Sequence, residues 1–517
     1  MIRKVASRVP AKLSNYIGGT TVATVPKSTS PTSNTTYSVL NPSTGEHLTT
    51  IPITNNDEIN HCLSIAHTAQ QNDWSVVSPR ERSRILLNTA EILRTETQPL
   101  AELECLDTGR PISETLLDIR GAVDCLEYMA GISVTSSSVG QHILLNGSEP
   151  SSSFGYTRRE PLGVTVGIGS WNYPLQSAIW KSAPALACGN SMVFKPSERT
   201  PLLALKLAEA YTKAGLPDGI FNVLYGDGTT TGAALISHPL VSKVSFTGSV
   251  PTGTNVYQTA AQTMKPVTLE LGGKSPLIIF NDAHLENAVA GAMMANWYSC
   301  GEVCSNGTRV FVQRSIYDAF CQRLLERTSK LVVGNPMDPQ THVGAMISED
   351  HLQSVLQYVK LGLDEGGSIL NGDDGGGERI RIRDGECEEG AFMKPAIFVN
   401  VQDDMTICRD EIFGPVMTIL PFDTEEEVVR RSNDTPFGLA AGIYTRDLSK
   451  AHRLAASIEA GTLWINNYNL APSELPWKGF KNSGLGQENG NASINYWTRE
   501  KSIYCEMGDM YDCGYPM

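Results

Sequence analysis

The clearest structural signal in this sequence is the stretch 163–214, GVTVGIGSWNYPLQSAIWKSAPALACGNSMVFKPSERTPLLALKLAEAYTKA. Two short β-branched runs, Val164–Ile168 and Ser191–Lys195, alternate with segments rich in small residues at 177–187 and 202–214. Parallel neighbouring strands need a crossover connection, which is usually a helix. Alternation of this kind therefore predicts βαβ units and a parallel sheet covered by helices.

Regular patterns of apolar residues continue on both sides of this stretch. Apolar residues recur at intervals of three and four between 57 and 129, which predicts helices. Further strand-like runs follow at 221–225 and 243–247, and a second alternating block extends over about 277–465. The chain is therefore predicted to be an α/β protein with more than one domain.

Composition excludes several classes of function. The chain has 517 residues, a formal net charge of −14, 41% hydrophobic residues and 19% charged residues, so it can bury a large core. Nucleic-acid affinity comes mainly from basic residues that neutralise phosphates, so no nucleic-acid partner is expected. No apolar run approaches the roughly 20 residues that a transmembrane helix needs, so no membrane partner is expected either.

The cysteines and the N-terminus bear on the compartment. Eleven cysteines lie scattered without a Cys-x-x-Cys motif, which favours free thiols and predicts no metal site. A reducing compartment, the cytoplasm, is the expected location. The first 45 residues contain five Lys or Arg and no Asp or Glu, which resembles a mitochondrial presequence and leaves the mitochondrial matrix as the alternative.

Two segments contain the parts for covalent catalysis. Cys304 lies in GEVCSNGTR (301–309), where small neighbours leave a thiol accessible. Glu270 lies in TLELGGKSP (268–276), a carboxylate among apolar residues, where its pKa tends to rise. A thiol nucleophile and a base within folding reach suit acyl chemistry, although each alone is more often structural.

These segments, in this order, resemble the aldehyde dehydrogenase superfamily. The resemblance covers nearly the whole chain and rests on further sequence words at 170–174 (SWNYP), 194–198 (FKPSE), 246–249 (FTGS), 411–415 (EIFGP) and 479–484 (GFKNSG). A narrower similarity, in 265–270, 434–444 and 505–509, is to the members that oxidise 4-trimethylaminobutyraldehyde and betaine aldehyde.

The resemblance implies a mechanism and its residues. Cys304 would attack the aldehyde carbonyl, and the Asn172 amide with the Cys304 backbone N–H would hold the oxyanion. Hydride would pass to NAD, and Glu270 would activate water to hydrolyse the resulting thioester. Glu488 resembles a residue that relays protons from this base, with Lys181 as its companion.

The resemblance also implies how NAD is bound, since no Gly-x-Gly-x-x-Gly follows a strand here. The pyrophosphate would lie at the helix N-terminus near Gly248 and Ser249. Lys195 and Glu198 would hold the adenosine ribose, and the Glu198 carboxylate would repel a 2′-phosphate, which favours NAD over NADP. The nicotinamide end would be held by Trp171, Glu411 and Phe413.

Aromatic residues are the candidates for substrate choice. Several rings around a trimethylammonium group would give cation–π attraction of about 0.5 to 2 kcal/mol each. The same rings could equally form core or a generic apolar funnel for neutral aldehydes. The candidate residues are Tyr173, Trp180, Trp297, Tyr298 and Tyr468, with Trp171 beside them.

Two positions depart from the family pattern. Glu302 stands where a Gln is usual two residues before the nucleophile, and an inward-pointing carboxylate there would raise the thiol pKa. We expect its side chain to point away from Cys304. Gln487 stands where an Arg is usual, so an ion pair at a subunit contact would be missing and assembly would be weaker.

The implied fold has a Rossmann-like dinucleotide-binding domain, an α/β catalytic domain and a small β oligomerisation arm. We expect a flexible segment at 1–14, the NAD-binding domain at 15–139 and 158–269, the catalytic domain at 270–473, and the arm at 140–157 and 474–517. Exposed strands at 140–145 and 502–506 would pair with a partner, giving a homo-oligomer, expected to be a tetramer built as a dimer of dimers.

Other functions stay open on the residues. A dehydrogenase of broad specificity for neutral aldehydes is the alternative within enzymes, and a catalytically silent homologue that serves as a binding or structural protein is the alternative outside them. The intact Cys304, Glu270 and Asn172 argue against silence, whereas Glu302 argues for it. A thiol hydrolase with a His partner is disfavoured because none of the nine histidines lies in a partner motif.

Overall fold

The helices cover the faces of two large sheets. The computed structural model describes residues 2–22, 35–145 and 153–507. Its α-helices are α1 (Ile2–Ala6), α2 (Asn56–Ala69), α3 (Pro79–Thr95), α4 (Thr97–Thr108), α5 (Ile112–Thr135), α6 (Pro174–Ala187), α7 (Leu202–Lys213), α8 (Ala233–Ser237), α9 (Val250–Ala261), α10 (Leu285–Trp297), α11 (Tyr317–Thr328), α12 (Glu349–Asp364), α13 (Thr406–Arg409), α14 (Glu425–Asn433) and α15 (Leu448–Ser457).

The strands are short, and most belong to one of three sheets. They are β1 (Asn15–Ile17), β2 (Thr20–Val22), β3 (Thr36–Leu40), β4 (His47–Pro52), β5 (His142–Leu144), β6 (Ser153–Pro161), β7 (Val164–Ile168), β8 (Ser191–Lys195), β9 (Phe221–Val223), β10 (Val241–Thr247), β11 (Val267–Glu270), β12 (Pro276–Ile279), β13 (Arg309–Gln313), β14 (Ser368–Ile369), β15 (Arg379–Ile380), β16 (Phe392–Met393), β17 (Ala396–Val399), β18 (Val416–Phe422), β19 (Phe437–Gly438), β20 (Ala440–Tyr444), β21 (Thr462–Ile465), β22 (Phe480–Lys481), β23 (Gly484–Leu485) and β24 (Thr498–Glu506).

The first large sheet, called the N-terminal sheet, contains the stretch quoted above. Its order is β2-β1-β9-β8-β7-β10-β11-β23, and β7 to β11 are mutually parallel. The predicted strands at Val164–Ile168 and Ser191–Lys195 are confirmed at those bounds. Strands β7 and β8 are buried along their whole length, as expected where helices cover both faces.

The second large sheet, called the C-terminal sheet, forms the other domain. Its order is β14-β17-β18-β13-β12-β20-β21, with parallel pairing from β17 to β21 and one antiparallel edge strand, β14. Two apolar clusters pack on its opposite faces, one around Phe311 and one around Leu277. The α/β fold class predicted from the alternation is therefore confirmed.

The arm is a three-stranded antiparallel sheet in the order β24-β6-β5. It joins two distant parts of the chain, as predicted, but its C-terminal part is shorter. Residues 474–497 pack on the large domains instead: β22 pairs with β19, and β23 extends the N-terminal sheet at β11. The reason is burial, because the segment places Ser483 and Glu488 in the interior, with at most 1% of each exposed.

The prediction of a flexible segment at 1–14 is wrong for residues 2–14. Helix α1 and the residues after it bury Ile2, Val5 and Leu13 in the main apolar cluster of the N-terminal domain. The alternation of apolar and basic residues that resembles a presequence is therefore also an amphipathic surface that packs on this domain. Residues 1, 23–34, 146–152 and 508–517 lie outside the described residues, and the last two of these ranges fall within the predicted arm.

The fold positions a site at one edge of the N-terminal sheet. Strands β7, β8, β10 and β11 are parallel, so their carboxyl ends share that edge, where ligands bind in open α/β sheets. Among the described residues, no helix is long and apolar enough to cross a membrane.

Candidate active site

A cavity of about 840 Å³ lies between the carboxyl edge of the N-terminal sheet and loops of the C-terminal domain. Ten of the residues predicted for catalysis and cofactor binding line this cavity. They are Trp171, Asn172, Lys195, Glu198, Gly248, Ser249, Glu270, Cys304, Glu411 and Phe413. Lys181, Glu488 and the five aromatic residues assigned to the substrate are not among the lining residues.

Cys304 follows helix α10 after a tight turn. Ser299 and Cys300 adopt left-handed backbone conformations with φ of 53° and 56°, and a side chain at Gly301 (φ 77°) would lie 2.3 Å from the Gly414 carbonyl carbon. This turn brings Cys304 to the cavity wall. Burial, followed by the carboxylates of Glu411 and Glu270, raises the pKa of the Cys304 thiol to about 12.

The resting thiol is therefore protonated at neutral pH, because its pKa lies far above 7. Its own backbone N–H and that of Ser305 act in the opposite direction and lower the pKa. These donors face the sulfur, which is where an adjacent oxyanion would also be stabilised.

Asn172 lies just before α6, a helix that begins with Pro174 at its first position. Its side-chain amide donates a hydrogen bond to the Glu302 carbonyl at 2.9 Å, which leaves its second N–H uncommitted to that contact. The backbone carbonyl of Asn172 accepts a hydrogen bond from the Arg110 guanidinium at 3.1 Å. Asn172 is thus held on both sides within reach of the nucleophile segment.

Glu270 ends β11 and has 5% of its surface exposed. Burial raises the pKa of its carboxyl well above the usual range, and the charge of Glu488 adds to this; Lys181 and the indole of Trp477 act in the opposite direction. A carboxyl group with a raised pKa that faces a cavity is a stronger base than an exposed carboxylate, which suits it to take a proton from a molecule in that cavity.

A buried ion pair lies behind Glu270. The ammonium group of Lys181 donates to Glu488 at 3.1 Å and to the Ser245 hydroxyl at 3.1 Å, and Ser245 donates to the same Glu488 oxygen at 2.9 Å. Lys181 and Glu488 are each 1% exposed, and both contribute electrostatically to the pKa of Glu270. The structure therefore brings the two predicted relay residues together beside the candidate base.

The two predicted ribose-binding residues lie at the end of β8. The Lys195 ammonium donates to the Glu198 carboxylate at 3.3 Å and to the Pro196 carbonyl at 3.0 Å. Burial lowers the pKa of Lys195, and the carboxylate of Glu198 opposes this. About a third of the Glu198 side chain is exposed, at 32%, so it can still accept hydrogen bonds from a ligand.

The predicted pyrophosphate site is the start of helix α9. Ser249 is its N-cap residue, and Gly248 donates to the Glu270 carbonyl at 3.0 Å. A side chain at Gly248 would lie 2.5 Å from the Phe246 ring, so the glycine keeps the turn open. The N–H groups of this first helical turn lack intrahelical acceptors and favour an anion.

Glu411 and Phe413 close the cavity from the C-terminal domain. Glu411 accepts a hydrogen bond from the Gly273 N–H at 2.9 Å, and burial raises the pKa of its carboxyl to about 7. A side chain at Gly272 would collide with Glu411, at 2.0 Å from its carboxylate oxygen. Phe413 contacts Trp171 edge to face, with 5.1 Å between the ring centroids.

The aromatic residues assigned to the substrate fall into three groups. Tyr173 and Tyr298 lie against Arg110, whose guanidinium carbon is 4.2 Å and 5.8 Å from their ring centroids. Trp180 packs against Trp477 at 5.8 Å.

The prediction that Trp297 and Tyr468 line the substrate path is wrong in this structure. They are 3% and 1% exposed and belong to the core of the C-terminal domain. The Tyr468 hydroxyl donates to the Ser305 carbonyl at 2.8 Å, so it supports the loop of the nucleophile rather than facing a ligand.

The two departures from the family pattern are both buried. Glu302 is 1% exposed, yet it accepts a hydrogen bond from the Ile347 N–H at 3.0 Å and lies 3.6 Å from His351. Its carboxyl group is therefore held against Ile347 and His351, and the carboxylates with the largest effect on the pKa of Cys304 are those of Glu411 and Glu270. Gln487 donates to the Asn489 carbonyl at 3.0 Å within its own loop.

Sequence reasoning missed three residues of this site. His351 lines the cavity, packs on Trp171 with 5.5 Å between centroids, and bonds to the Phe413 carbonyl at 2.8 Å. Trp477 and Arg110 were missed as well, and the signals were weak: a Trp four residues after a Pro-Ser pair, and an Arg in a Thr-Gly-Arg-Pro turn. His351 and Arg110 each lie more than 30 residues from the sequence words that identified the rest, whereas Trp477 lies two residues before the last of them.

Comparison with known proteins places these features in one family. A family model described as "Aldehyde dehydrogenase family" matches residues 29–503. The chain is 52% identical over 472 residues to 4-trimethylaminobutyraldehyde dehydrogenase A of Danio rerio, covering 91% of each chain. It is 51% identical over 478 residues to betaine aldehyde dehydrogenase of Sinorhizobium fredii (strain NBRC 101917 / NGR234), covering 92% of this chain and 95% of that one.

A solved structure agrees with the sequence relatives. Betaine aldehyde dehydrogenase from Staphylococcus aureus, in complex with NAD+, superposes with a TM-score of 0.92 at 32% identity, covering 100% of this chain and 99% of that one. A family model that spans most of the chain and relatives at half identity over nine-tenths of it lead to one conclusion: this chain belongs to the aldehyde dehydrogenase family.

Proposed function

We propose that this protein oxidises an aldehyde to the carboxylic acid with NAD as the oxidant. The observation that carries the proposal is the convergence of Cys304, Glu270 and Asn172 on one cavity. These three residues supply a nucleophile, a base and an oxyanion donor, and they come from three separate segments of the chain. A binding protein without catalysis would not need this combination.

The residues divide the reaction into two halves. In the first, the Cys304 sulfur bonds to the carbonyl carbon as its proton passes to solvent, and the oxygen becomes an alkoxide held by Asn172 and the Cys304 N–H. Loss of hydride from that carbon then leaves a thioester on Cys304. In the second, water attacks the thioester carbon while Glu270 takes its proton, and the Cys304 sulfur departs as the acid forms. Glu270 is therefore the base of the second half, and it faces the same cavity as Cys304.

NAD fits the donors of the cavity. Lys195 and Glu198 would hold the adenosine ribose, the first turn of α9 at Gly248 and Ser249 would hold the pyrophosphate, and Glu411 would hold the second ribose. The exposed part of the Glu198 carboxylate suits two ribose hydroxyls and disfavours a 2′-phosphate. When bound, NAD supplies the acceptor for the hydride of the substrate carbon. Gly248 and Gly272 keep open the space that a Cβ would fill.

We propose trimethylammonio-aldehydes and amino-aldehydes, such as 4-trimethylaminobutyraldehyde and betaine aldehyde, as the substrate class. The names of the relatives support this, since they act on these two aldehydes. Tyr173, Tyr298, Trp180 and Trp477 remain as rings that could face a cationic group. Neutral aldehydes of similar size are the alternative, because the same rings would also form an apolar funnel.

The decisive experiment compares variants of the two reacting residues. Cys304→Ala should abolish NADH production, because no thioester can form. Glu270→Gln should release NADH in a burst of one equivalent per active site and then stall, because the thioester persists without its base. Cys505→Ala, at another partly exposed cysteine, is the control and should keep the wild-type rate. Full turnover by Cys304→Ala would refute the proposed nucleophile.

Substrate class is tested with matched aldehydes. Betaine aldehyde and 4-trimethylaminobutyraldehyde are compared with the neutral isosteres that carry a tert-butyl group in place of trimethylammonium. Cation–π attraction from a single ring predicts a preference of about 2- to 30-fold in kcat/KM for the cations. Equal kcat/KM for cation and isostere would favour the broad-specificity alternative.

We further propose that the protein forms a homo-oligomer, a dimer of dimers, and that it works in the cytoplasm. The support for assembly is the arm, whose outer strands β5 and β24 each leave one edge without a strand neighbour among the described residues. Leu144 and Tyr504 on these strands are 80% and 62% exposed.

The support for the cytoplasm is that all ten cysteines in the described residues are free thiols. Imaging of a C-terminally tagged chain tests the location against the mitochondrial matrix.

A further inference from the structure

A buried charge cluster lies beside the active site without lining its cavity. Its centre is Arg110, which is 0% exposed and occupies the turn between α4 and α5. Gly109, the residue before it, adopts φ of 78° and ends α4. The guanidinium faces three carboxyl groups, those of Glu104, Glu114 and Asp118.

The cluster makes contact with both halves of the oxyanion site. Arg110 donates to the Asn172 carbonyl at 3.1 Å and lies 4.2 Å from the Tyr173 ring centroid, so it holds the segment that carries the oxyanion amide. Glu114 accepts a hydrogen bond from the Ser299 N–H at 2.9 Å, and so holds the left-handed turn that leads to Cys304.

Two tyrosines connect these halves. The Tyr298 hydroxyl donates to Asp118 at 3.3 Å, and the Tyr173 and Ser299 hydroxyls share a hydrogen bond of 2.8 Å. The Asn172 amide then donates to the Glu302 carbonyl, two residues before the nucleophile. The contacts form a closed circuit from Arg110 through Asn172 to the nucleophile segment and back through Glu114.

We propose that Arg110 is a positioning residue that sets the distance between the Asn172 amide and Cys304. The proposal rests on the proposed function, in which these two groups hold and form the tetrahedral intermediate. A lysine could keep the charge, but its ammonium is a point charge without the planar fork that meets separate acceptors at once. A shift of about 1 Å between oxyanion donor and nucleophile can cost about 100-fold in rate.

The chemistry of the cluster explains why a cation is needed there. Burial raises the pKa of Glu114 to about 8, and the guanidinium opposes this. Glu104 and Asp118 also have raised pKa values, for which burial is the largest cause. Without the guanidinium, the three carboxyl groups would share a buried site in which no other described residue forms an ion pair with them. The carboxyl groups would then take up protons, or the segments that they hold would separate.

The test is a double-mutant cycle on kcat/KM for the aldehyde at saturating NAD. Arg110→Lys should lower kcat/KM by about 10- to 100-fold, because the oxyanion donor is misplaced. Asn172→Ala should lower it by about 100-fold or more through loss of the donor itself. In the Asn172→Ala background, Arg110→Lys should cost less than about 3-fold, because the group it positions is already absent.

Two readouts separate positioning from general damage. The dissociation constant for NAD and the thermal midpoint of Arg110→Lys should stay near wild type, since the loss is expected in the transition state. Arg82→Lys is the matched control: Arg82 is a buried arginine, 7% exposed, in α3 and away from the cavity lining, and this variant should keep the wild-type turnover.

Asp118→Asn provides a second route if Arg110→Lys does not fold. It removes one of three carboxylates around one guanidinium and keeps an acceptor for the Tyr298 hydroxyl, so it should fold. It should lower kcat/KM by about 3- to 10-fold, again only when Asn172 is present.

The outcomes separate this inference from the proposed function. The positioning role would be overturned if the losses multiplied in the double variants. It would also be overturned if Arg110→Lys and Asp118→Asn both kept full activity. In either case Asn172→Ala alone would still be impaired, and the proposed function would stand. Full activity of Asn172→Ala or Cys304→Ala would instead overturn the proposed function itself.

Discussion

Glu302 shows how a single buried carboxyl group can be harmless two residues from a nucleophile. Its oxygen accepts the Ile347 N–H and faces His351, and burial raises the pKa of the carboxyl well above its usual range. We therefore expect Glu302→Gln, which keeps the acceptor, to leave turnover unchanged and to leave the rate of Cys304 alkylation by iodoacetamide at pH 8 unchanged. Mass spectrometry of samples quenched at successive times measures this alkylation rate.

The matched variant removes the acceptor rather than the charge. Glu302→Leu leaves the buried Ile347 N–H unsatisfied and should lower the free energy of unfolding by about 1 to 3 kcal/mol in a urea titration. Faster alkylation of Cys304 in Glu302→Gln would mean that the carboxylate does act on the thiol, and the orientation seen here would not describe the protein in solution.

At the scale of single residues, the sequence motifs predicted which residues form the site but not which residues they contact. Cys304, Glu270 and Asn172 could be named because each sits in a distinctive local word, and all three line the cavity. His351 and Arg110 could not, since their roles depend on contacts with segments far away in the chain. The burial of Tyr468 was likewise invisible, because an aromatic residue near a motif does not reveal which side of a loop it faces.

At the scale of elements, the short strand β23 has an effect out of proportion to its two residues. Ser483, immediately before it, is fully buried; its hydroxyl donates to the Gly272 carbonyl at 2.7 Å and accepts the Gly438 N–H at 2.9 Å. Its carbonyl accepts the Leu271 N–H at 2.9 Å. This element therefore supports the turn that follows the candidate base Glu270.

We expect Ser483→Ala to destabilise the protein by about 1 to 3 kcal/mol, because the Gly272 carbonyl and Gly438 N–H lose a buried partner. Urea unfolding followed by fluorescence measures this loss. The turn after Glu270 should also loosen, so the steady-state rate should fall while the NADH burst stays at one equivalent. Ser457→Ala, at an exposed serine that ends α15, is the control and should change neither quantity. An unchanged unfolding free energy for Ser483→Ala would exclude this support.

The regular elements were predictable because period and length identify them. Strands β7 and β8 match their β-branched runs, and the α/β class follows from their alternation with helices. The left-handed turn at Ser299 and Cys300 was not predictable, since nothing about these residue types calls for a positive φ. Two-residue strands such as β23 carry no periodic signal at all and arise from tertiary contacts.

At the scale of the whole molecule, the exposed arm predicts assembly. Leu144 and Tyr504 project from strands whose outer edges have no strand neighbour among the described residues, and such edges bind other chains. Leu144→Asp combined with Tyr504→Asp should shift the protein toward smaller species in sedimentation velocity at micromolar concentration, because each buried carboxylate would oppose the interface.

Leu448→Asp is the matched control for this measurement. Leu448 is a similarly exposed leucine, at 66%, on α15 of the C-terminal domain, and its variant should sediment like the wild type. A wild-type sedimentation profile for the arm variant would rule out the arm as the contact surface. A monomeric wild type would rule out the oligomer itself.

The composition predicted a large core and the motif order predicted two domains with a discontinuous arm, but the path of residues 474–497 followed from neither. This segment crosses both large domains before the arm begins at Thr498. Its course is set by buried contacts of Ser483 and Glu488 with residues more than 200 positions earlier in the chain.

The late position of residues 474–497 in the chain has a consequence for folding during translation. Ser483 lies 211 residues after its partner Gly272, and β24 pairs with β6 across a still longer separation of up to 353 residues. At about 5 to 20 residues per second, a ribosome needs roughly 10 to 40 s to travel from Gly272 to Ser483. Throughout that interval the edge of β11 that β23 will cover is open to other nascent chains. The protein's yield in a cell should therefore depend on holding chaperones during translation more than its final stability would suggest.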